Sequence, residues 1–268
     1  MASAPRLITL LTDFGQQDHY VAAVKGVMLS INANLHFIDI THQIPAQDVP
    51  SAAFSLGQAY GYFPGETIHL AVVDPGVGSA RKALVGRAGD HFFVAPDNGI
   101  LSYVLAREEE ARIHEVTAEH YFRKPLSRTF HARDVFGPVA AWLSRDISLD
   151  QFGPLCERPV RLPIPRLAKV REGLIQAAVL AVDRFGNLTT NLTPADVPCY
   201  SAADARPCKL LAAQREITSF RGTFSEGNPG EVFVVPGSTG YLEIVVRNGS
   251  AAATLNLGPG AMIGVKLG

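Results

Sequence analysis

LITLLTDFG (residues 7–15) is a short apolar run that passes directly into a polar turn, as at the end of a buried strand. Apolar residues then recur at helical spacing from Val21 to Ile31, and Asp18 is a candidate cap for that helix. A second strand is predicted from Leu35 to Ile40. The chain therefore begins as an alternation of strand and helix, which is typical of a parallel sheet covered by helices.

The same alternation continues to about residue 144. The further predicted elements are a helix capped by Asp48 with Pro50 in its first turn, a strand from Ile68 to Val73, a hairpin of Lys82–Ala88 and His91–Ala95, and helices from Asn98 to Val104 and from Asp134 to Ser144. We therefore predict an N-terminal α/β domain with a mainly parallel sheet over residues 1–162.

The pattern changes at a proline-rich stretch around residues 159–165, which predicts a semi-rigid linker over 163–169. Beyond it, strand-like runs are separated by glycine-rich turns, and clear amphipathic helices are missing. These runs are Leu174–Val182, Glu231–Val235, Tyr241–Val246 and Met262–Leu267. The sequence predicts a smaller, antiparallel β-barrel domain over residues 170–268.

Composition excludes several classes of protein. The net charge is −1 with scattered acids and bases, so nucleic acid is a poor candidate partner. No apolar stretch approaches the ~20 residues that span a bilayer, and residues 1–6 lack the layout of a signal peptide. The cysteines (Cys156, Cys199 and Cys208) have no C-x-x-C spacing, so we expect small unpaired side chains and a cytoplasmic location. The histidines show no metal-ligand spacing, and we predict neither a metal nor a cofactor.

Candidate functional residues follow the predicted strands, where open α/β sheets bind ligands. Asp13 can accept hydrogen bonds from both hydroxyls of a ribose, or it forms the turn. Asp74 and Arg81 bracket a glycine-rich loop that lacks a phosphate-binding pattern, and a structural ion pair is the alternative. His131 precedes a helix whose dipole disfavours its protonated form, so it can hold a water or accept a proton, or it is structural.

In the second half, Asp183-Arg184-Phe185-Gly186-Asn187 follows an apolar strand. Phe185 offers a stacking face, and Asn187 offers the donor and acceptor that an adenine edge needs. A strand-to-strand turn explains this stretch equally well. The turns that contain Ser238 and Arg247 leave the same alternatives open, and we take both residues as candidate substrate contacts.

Taken in order, these segments resemble the S-adenosylmethionine hydroxide adenosyltransferases, which are relatives of the fluorinases and chlorinases. The segments that carry the resemblance are Thr12-Asp13-Phe14-Gly15 with Asp18, Val73-Asp74-Pro75-Gly76-Val77-Gly78 with Arg81, Ala95-Pro96-Asp97-Asn98-Gly99, Phe130-His131-Ala132-Arg133-Asp134, Asp183-Arg184-Phe185-Gly186-Asn187 and Gly240-Tyr241-Leu242-Glu243-Ile244. They span nearly the whole chain.

The resemblance implies an enzyme that splits S-adenosylmethionine at C5′ with water, giving adenosine and methionine. It implies a homotrimer that binds the substrate between subunits. The family's water-handling residues fall on Asp74, Arg81 and His131, and its ribose-binding acid falls on Asp13. Its adenine-facing asparagine and its ammonium-binding acid fall on Asn187 and Asp183. Asp18, Phe185, Ser238 and Arg247 complete the expected substrate contacts.

Three positions favour water over halide as the nucleophile. The halogenases of this group carry Tyr and Thr where this chain has Asp74 and Val77, and the fluorinases carry Ser where it has Ala132. Those hydroxyls help to form the halide pocket. The hydrolases usually carry glycine in place of Ala132, so its methyl group is expected to narrow the site. The alternatives are a halogenase, a non-catalytic adenosine or S-adenosylmethionine sensor and a metal-dependent phosphoesterase.

Overall fold

A computed structural model describes residues 6–200 and 207–267 of the chain. The chain splits into two compact units, Met1–Pro163 and Ile164–Gly268. Residues 1–5, which belong to the segment that lacks the layout of a signal peptide, lie outside the described residues. Arg6, the last residue of that segment, begins the first strand.

The first unit contains a sheet whose apolar strands were visible in the sequence. Its strands are β1 (Arg6–Thr12), β2 (Leu35–Thr41), β3 (Ile68–Val72), β4 (Ala83–Ala88), β5 (His91–Pro96) and β6 (Arg112–Glu115). Their order among the described residues is β2-β1-β3-β5-β4-β6. β1 runs parallel to β2 and β3, and β3 runs parallel to β5, whereas β4 is antiparallel to both of its neighbours. The predicted mainly parallel sheet is confirmed.

Helices cover both faces of this sheet. They are α1 (Tyr20–Ile31), α2 (Val49–Ala59), α3 (Ser102–Arg107) and α4 (Gly137–Leu143). Successive side chains of a strand point to opposite faces. Accordingly, Ile8 and Leu10 pack into the core with α1 and α4, whereas Leu11 packs into a second core with α2 and α3. The carboxyl ends of β1 and β3 therefore emerge side by side between the two helical layers.

Helix starts were predicted with mixed success. Asp48 caps α2, since its Oδ1 accepts a hydrogen bond from the Ser51 N–H at 3.0 Å, as predicted. The prediction that Asp18 caps α1 is wrong. His19 occupies the cap position without a side-chain hydrogen bond, and Asp18 lies one residue too early, exposed to solvent.

Two other helices begin at residues that differ from the predicted ones. α3 starts at Ser102, because the Asn98 side chain donates to the Val73 carbonyl at 2.8 Å and residues 98–101 form a turn. The last predicted helix opens with a π-helical turn over Ala132–Phe136 before α4. Such turns are often found at functional sites.

The second unit is an antiparallel sheet that curls on itself. Its elements are β7 (Ala168–Arg171), β8 (Leu174–Val182), β9 (Leu188–Thr190), β10 (Cys208–Ala212), β11 (Arg215–Ile217), β12 (Val232–Pro236), β13 (Leu242–Val246), α5 (Ala251–Leu255) and β14 (Met262–Leu267). The strand order is β11-β10-β14-β8-β9-β13-β12, with β7 added beside β8. A bridge between Phe220 and Val234 brings the segment after β11 onto β12, so the sheet nearly closes. The predicted barrel-like domain is confirmed.

The cysteines correct one expectation. Cys199 and Cys208 form a disulfide with their Cα atoms 6.0 Å apart, whereas Cys156 is free and buried. The expectation that all cysteines are unpaired was wrong, because a separation of nine residues forms no recognisable spacing pattern. The fold of the second unit brings the Pro198–Tyr200 turn to the start of β10.

Residues 6–200 and 207–267 contain neither a membrane-spanning helix nor a cluster of metal-ligating side chains. None of their helices has the length and apolarity that crossing a membrane requires. Their His, Cys, Asp and Glu side chains form no group of three or more that could hold a metal ion.

Candidate active site

The carboxyl edge of the first unit's sheet opens into a cleft of about 640 Å³. β1 delivers Asp13 to this cleft, β3 delivers Asp74, and the turn before α4 delivers His131. The cleft is lined by Asp13, Phe14, Tyr20, Gln47, Val72, Asp74, Pro75, Val77, Ser127, Thr129, Phe130, His131, Ala132 and Arg133. Residues from distant parts of the sequence therefore meet at the edge where open α/β sheets bind ligands.

Asp74 and Arg81 form a close ion pair at the cleft. The Arg81 Nε–H donates to both carboxylate oxygens of Asp74, at 2.9 and 3.0 Å, and its Nη2 also contacts Oδ2. The Asp74 side chain is 6% exposed and that of Arg81 is 11% exposed. A guanidinium that binds a carboxylate with two nitrogens fixes both its charge and its orientation.

His131 completes this cluster through its Nδ1 atom, which lies 3.0 Å from Arg81 Nη2. Because a guanidinium can only donate, Nδ1 accepts this hydrogen bond and the ring proton of a neutral His131 resides on Nε2. Burial and the Arg81 charge lower the pKa of His131, and they outweigh the opposing charges of Asp74 and Asp134. His131 is therefore a neutral imidazole that presents an N–H group.

Asp13 lies half-buried in the same cleft, one residue beyond β1. Its Oδ2 accepts a hydrogen bond from the Gln47 N–H at 2.8 Å, which fixes the orientation of the carboxylate. Gly15, with φ = +67°, reverses the chain directly after it. A carboxylate held in this way can accept hydrogen bonds from a diol.

Aromatic rings form one wall of the cleft. The Phe130 ring stacks edge-on against Phe14 and Tyr20, with centroids 6.1 and 5.2 Å apart. Such rings offer the apolar surface on which a nucleoside rests. Val77 and Ala132, which the sequence analysis singled out as lacking hydroxyls, also line the cleft.

A buried acid shapes the loop that carries this wall. Asp134 is fully buried and accepts hydrogen bonds from the Ser127 N–H at 2.8 Å and from the Arg133 guanidinium. Burial opposes its charge, yet these hydrogen bonds keep the pKa of Asp134 below its ordinary value. Asp134 thus links Ser127 and Arg133, which lie on either side of His131 in the sequence, through one carboxylate.

Sequence reasoning missed several residues of this cleft. Several of them lie within two residues of Asp13 or His131 in the sequence, and this proximity was the signal that could have found them. They are Phe14, Thr129, Phe130 and Arg133. Gln47 gave none, because it precedes α2 in a loop and reaches the cleft through the fold alone. Asp18, a predicted substrate contact, is exposed and is not among the residues that line the cleft.

The second-unit candidates cluster in the turn between β8 and β9. Asp183 Oδ1 accepts from the Phe185 and Asn187 N–H groups at 2.9 and 2.8 Å, and its Oδ2 accepts from the Asn187 side chain at 2.8 Å. Phe185 projects outward and is 75% exposed. Burial and the Asp183 charge raise the pKa of Glu243 on the neighbouring strand β13. The turn is therefore ordered by the same groups that were proposed as substrate contacts.

Arg247 and Ser238 differ in how strongly they are held. The Arg247 Nη1 donates to the carbonyls of Ser225 and Gly227, at 3.2 and 2.8 Å, and so has a structural role in the barrel. Ser238 is exposed in the turn before β13.

A three-layered α/β unit with an acid, a guanidinium and an imidazole at the carboxyl edge of its sheet, followed by an antiparallel barrel, is typical of an enzyme that acts on small molecules. Comparison with known proteins is more specific. The chain belongs to the SAM hydroxide adenosyltransferase family: the model of the family's N-terminal domain matches residues 8–153, and that of its C-terminal domain matches residues 177–264.

Full-length relatives agree with this assignment. An (R)-S-adenosyl-L-methionine hydrolase of Salinispora tropica is 38% identical, with all of both chains covered. A solved structure of an uncharacterized conserved protein from Thermotoga maritima is 35% identical with a TM-score of 0.89, covering 97% of this chain and 99% of that chain. A fluorinase of Actinoplanes sp. is more distant, at 24% identity over 98% of each chain.

Proposed function

We propose that this enzyme hydrolyses S-adenosylmethionine at C5′, giving adenosine and L-methionine. The hydrolase relatives, similar over their full length, support this reaction and its (R)-configured substrate. The observation that carries the proposal is the hydrogen-bonded Asp74–Arg81–His131 cluster, of which Asp74 and His131 line the cleft.

The proposed chemistry is an in-line displacement. A water oxygen forms a bond to C5′ while the C5′–sulfur bond breaks, and its electron pair leaves with sulfur as neutral methionine. The sulfonium needs no protonation to leave, so the protein has to place the water about 3–3.5 Å from C5′, opposite sulfur. The proton that the water loses passes to a carboxylate.

Each member of the cluster has a distinct proposed role. The neutral His131 donates its Nε2–H to the water oxygen and so orients a lone pair toward C5′. Asp74 accepts the water's proton. Arg81 fixes Asp74 in position, since it donates to both of its oxygens.

The remaining candidates are assigned to substrate binding. Asp13 is proposed to accept hydrogen bonds from the ribose hydroxyls and the aromatic wall to support the nucleoside. Asn187 is proposed to face adenine, with Phe185 stacking nearby, and Asp183 is proposed to hold the methionine ammonium. Ser238 and Arg247 are proposed as further contacts, although Arg247 is also used within the barrel.

A halogenase on the same scaffold is the second candidate, because fluorinases are among the relatives. An ionised carboxylate at Asp74 would repel a halide anion. Asp74 and Val77 replace the two hydroxyl-bearing residues that the halogenases carry, and Ala132 replaces the serine that the fluorinases carry. All three residues line the cleft. The geometry therefore favours water.

One experiment separates these functions. The pure protein is mixed with (R)-S-adenosylmethionine, with and without high chloride or fluoride, and the products are identified by chromatography. We expect adenosine and methionine in every reaction. Abundant 5′-halo-adenosine would show a halogenase, whereas tight binding without product over hours would show a sensor.

Homotrimeric assembly with substrate shared between subunits and a cytoplasmic location stay predictions from the family resemblance. Light scattering coupled to size-exclusion chromatography tests the first. A mass other than three times 28.7 kDa would reject it.

A further inference from the structure

A buried pair of side chains lies directly behind the turn that carries Asp13. Thr12 and His42 are 3% and 2% exposed, and the Thr12 hydroxyl lies 2.8 Å from His42 Nδ1. The same hydroxyl oxygen accepts a hydrogen bond from the Phe14 N–H at 3.2 Å. The residues on both sides of Asp13 are thus tied to one imidazole.

His42 holds this turn a second time through its backbone. Its carbonyl accepts a hydrogen bond from the Gly15 N–H at 2.8 Å, at the point where the chain reverses. Side chain and carbonyl together fix the stretch from Thr12 to Gly15. Side-chain substitutions of His42 remove the first of these links and keep the second.

The opposite edge of the imidazole faces a negative charge. His42 Nε2 lies 3.1 Å from Asp39 Oδ1, off the line of a straight hydrogen bond, so the contact is mainly electrostatic. Asp39 Oδ2 accepts from Lys25 Nζ at 2.7 Å. Burial opposes the charge of Asp39, but its contacts with Lys25 and His42 outweigh burial and lower the pKa of Asp39.

This charge sets the direction of the hydrogen bonds. An anion beside Nε2 favours the tautomer that carries its proton there, which leaves Nδ1 as an acceptor. The Thr12 O–H therefore donates to Nδ1, and its lone pairs remain available to the Phe14 N–H. The chain of groups from Asp39 to Phe14 is consistently oriented.

We infer that His42 is a positioning residue for ribose binding, which holds Asp13 in its binding orientation through the Thr12 hydroxyl. The inference rests on the proposed role of Asp13 in the proposed function. A binding group that is held in place before the ligand arrives avoids the entropy cost of ordering it on binding. Without the link from His42 to Thr12, the Asp13 turn keeps the hydrogen bonds of the Phe14, Gly15 and Gln47 N–H groups but loses the one that fixes the Thr12 hydroxyl.

Two matched pairs of variants test this role. His42→Asn keeps an amide group near the position of Nδ1, whereas His42→Gln extends toward Asp39 and leaves the Thr12 hydroxyl unpaired. Thr12→Ser keeps the hydroxyl, whereas Thr12→Val has the same shape without it. The dissociation constant of adenosine is measured by calorimetry on the full chain, with the thermal midpoint and kcat for S-adenosylmethionine recorded alongside.

We expect His42→Gln and Thr12→Val to weaken adenosine binding about tenfold, the effect of one lost hydrogen bond. His42→Asn and Thr12→Ser should bind as the wild type does. The inference would be overturned if wild type, His42→Gln and Thr12→Val bound adenosine with equal affinity. It would also be overturned if both members of each pair lost the same affinity, because that result indicates a merely structural role. If the His42 variants do not fold, the Thr12 pair decides.

Calorimetry also separates this inference from the proposed reaction. A wild-type protein that binds adenosine but releases none from S-adenosylmethionine would reject the hydrolase proposal, and the variant affinities would still decide the role of His42. A wild-type protein that fails to bind adenosine would reject the inference.

Discussion

Replacing Asp74 with asparagine removes the proposed proton acceptor while keeping the shape of the side chain. The asparagine amide retains one acceptor oxygen but turns a donor toward Arg81, which already donates to both carboxylate oxygens. A guanidinium that is 11% exposed then loses its counter-charge. Both the chemistry and the local electrostatics change at this one position.

The magnitude follows from these two losses. A positioned proton acceptor contributes about 10²–10⁴-fold in rate, which corresponds to roughly 3–5 kcal/mol of activation free energy. Breaking a buried ion pair costs about 3–5 kcal/mol of stability. Because Asp74→Asn keeps one acceptor for Arg81, we expect a loss of unfolding free energy at the lower end of that range.

The assay is the chromatographic measurement of adenosine formation across a series of S-adenosylmethionine concentrations, with the adenosine dissociation constant measured by calorimetry. We expect kcat to fall at least about 100-fold while adenosine affinity is retained. Asp90→Asn is the control, because Asp90 is 84% exposed and forms a surface ion pair with Arg87. A kcat for Asp74→Asn within about fivefold of the wild type, with the fold intact, would refute the assignment of Asp74 as the acceptor.

Three further outcomes are expected. Burial and the neighbouring Arg81 guanidinium lower the pKa of His131, so the imidazole remains neutral at pH values below its ordinary pKa. The acid limb of the kcat/KM profile should therefore lie below about pH 6.5, and an acid limb above that pH would contradict this. Gly78 and Gly230 both have φ = +77°, but a Cβ at Gly78 would meet the Arg128 carbonyl, whereas a Cβ at Gly230 would point into open space. Gly78→Ala should therefore lower the thermal midpoint by more than Gly230→Ala does, and equal shifts would exclude the clash. His69 is fully buried with a pKa of about 3, so the unfolded chain binds one more proton than the folded chain between that value and about pH 6.5. The unfolding free energy from denaturant titrations should therefore rise as the pH increases across this window, by up to about 1.4 kcal/mol per pH unit, and a flat profile in the wild type would rule this out.

The first unit was largely predictable because its signals are local. The apolar runs that became β1 and β3 end in Asp13 and Asp74, and parallel strands deliver their carboxyl ends to one edge. Convergence of these two acids thus required only the strand assignment. The hairpin of β4 and β5 was equally visible, since Gly89-Asp90 separates two apolar segments.

Features that depend on three-dimensional neighbours were not predictable. Asp18 looked like a cap, but whether α1 begins one residue later depends on packing of its first turn against Phe14 and Phe130. Strands as short as β9 and β11 carry too few residues to show alternation. The disulfide also depends on how the barrel brings Cys199 and Cys208 together, because a separation of nine residues forms no recognisable spacing pattern.

The second-unit turn shows why sequence alone left structural and functional explanations open. Asp183 is satisfied by three hydrogen bonds from its own turn, as a purely structural aspartate would be. Each carboxylate oxygen has two lone pairs, so these bonds orient Asp183 and still leave capacity for a cation. Burial and the Asp183 charge raise the pKa of Glu243 on the neighbouring strand β13. The structural role of Asp183 is therefore compatible with the proposed ammonium contact.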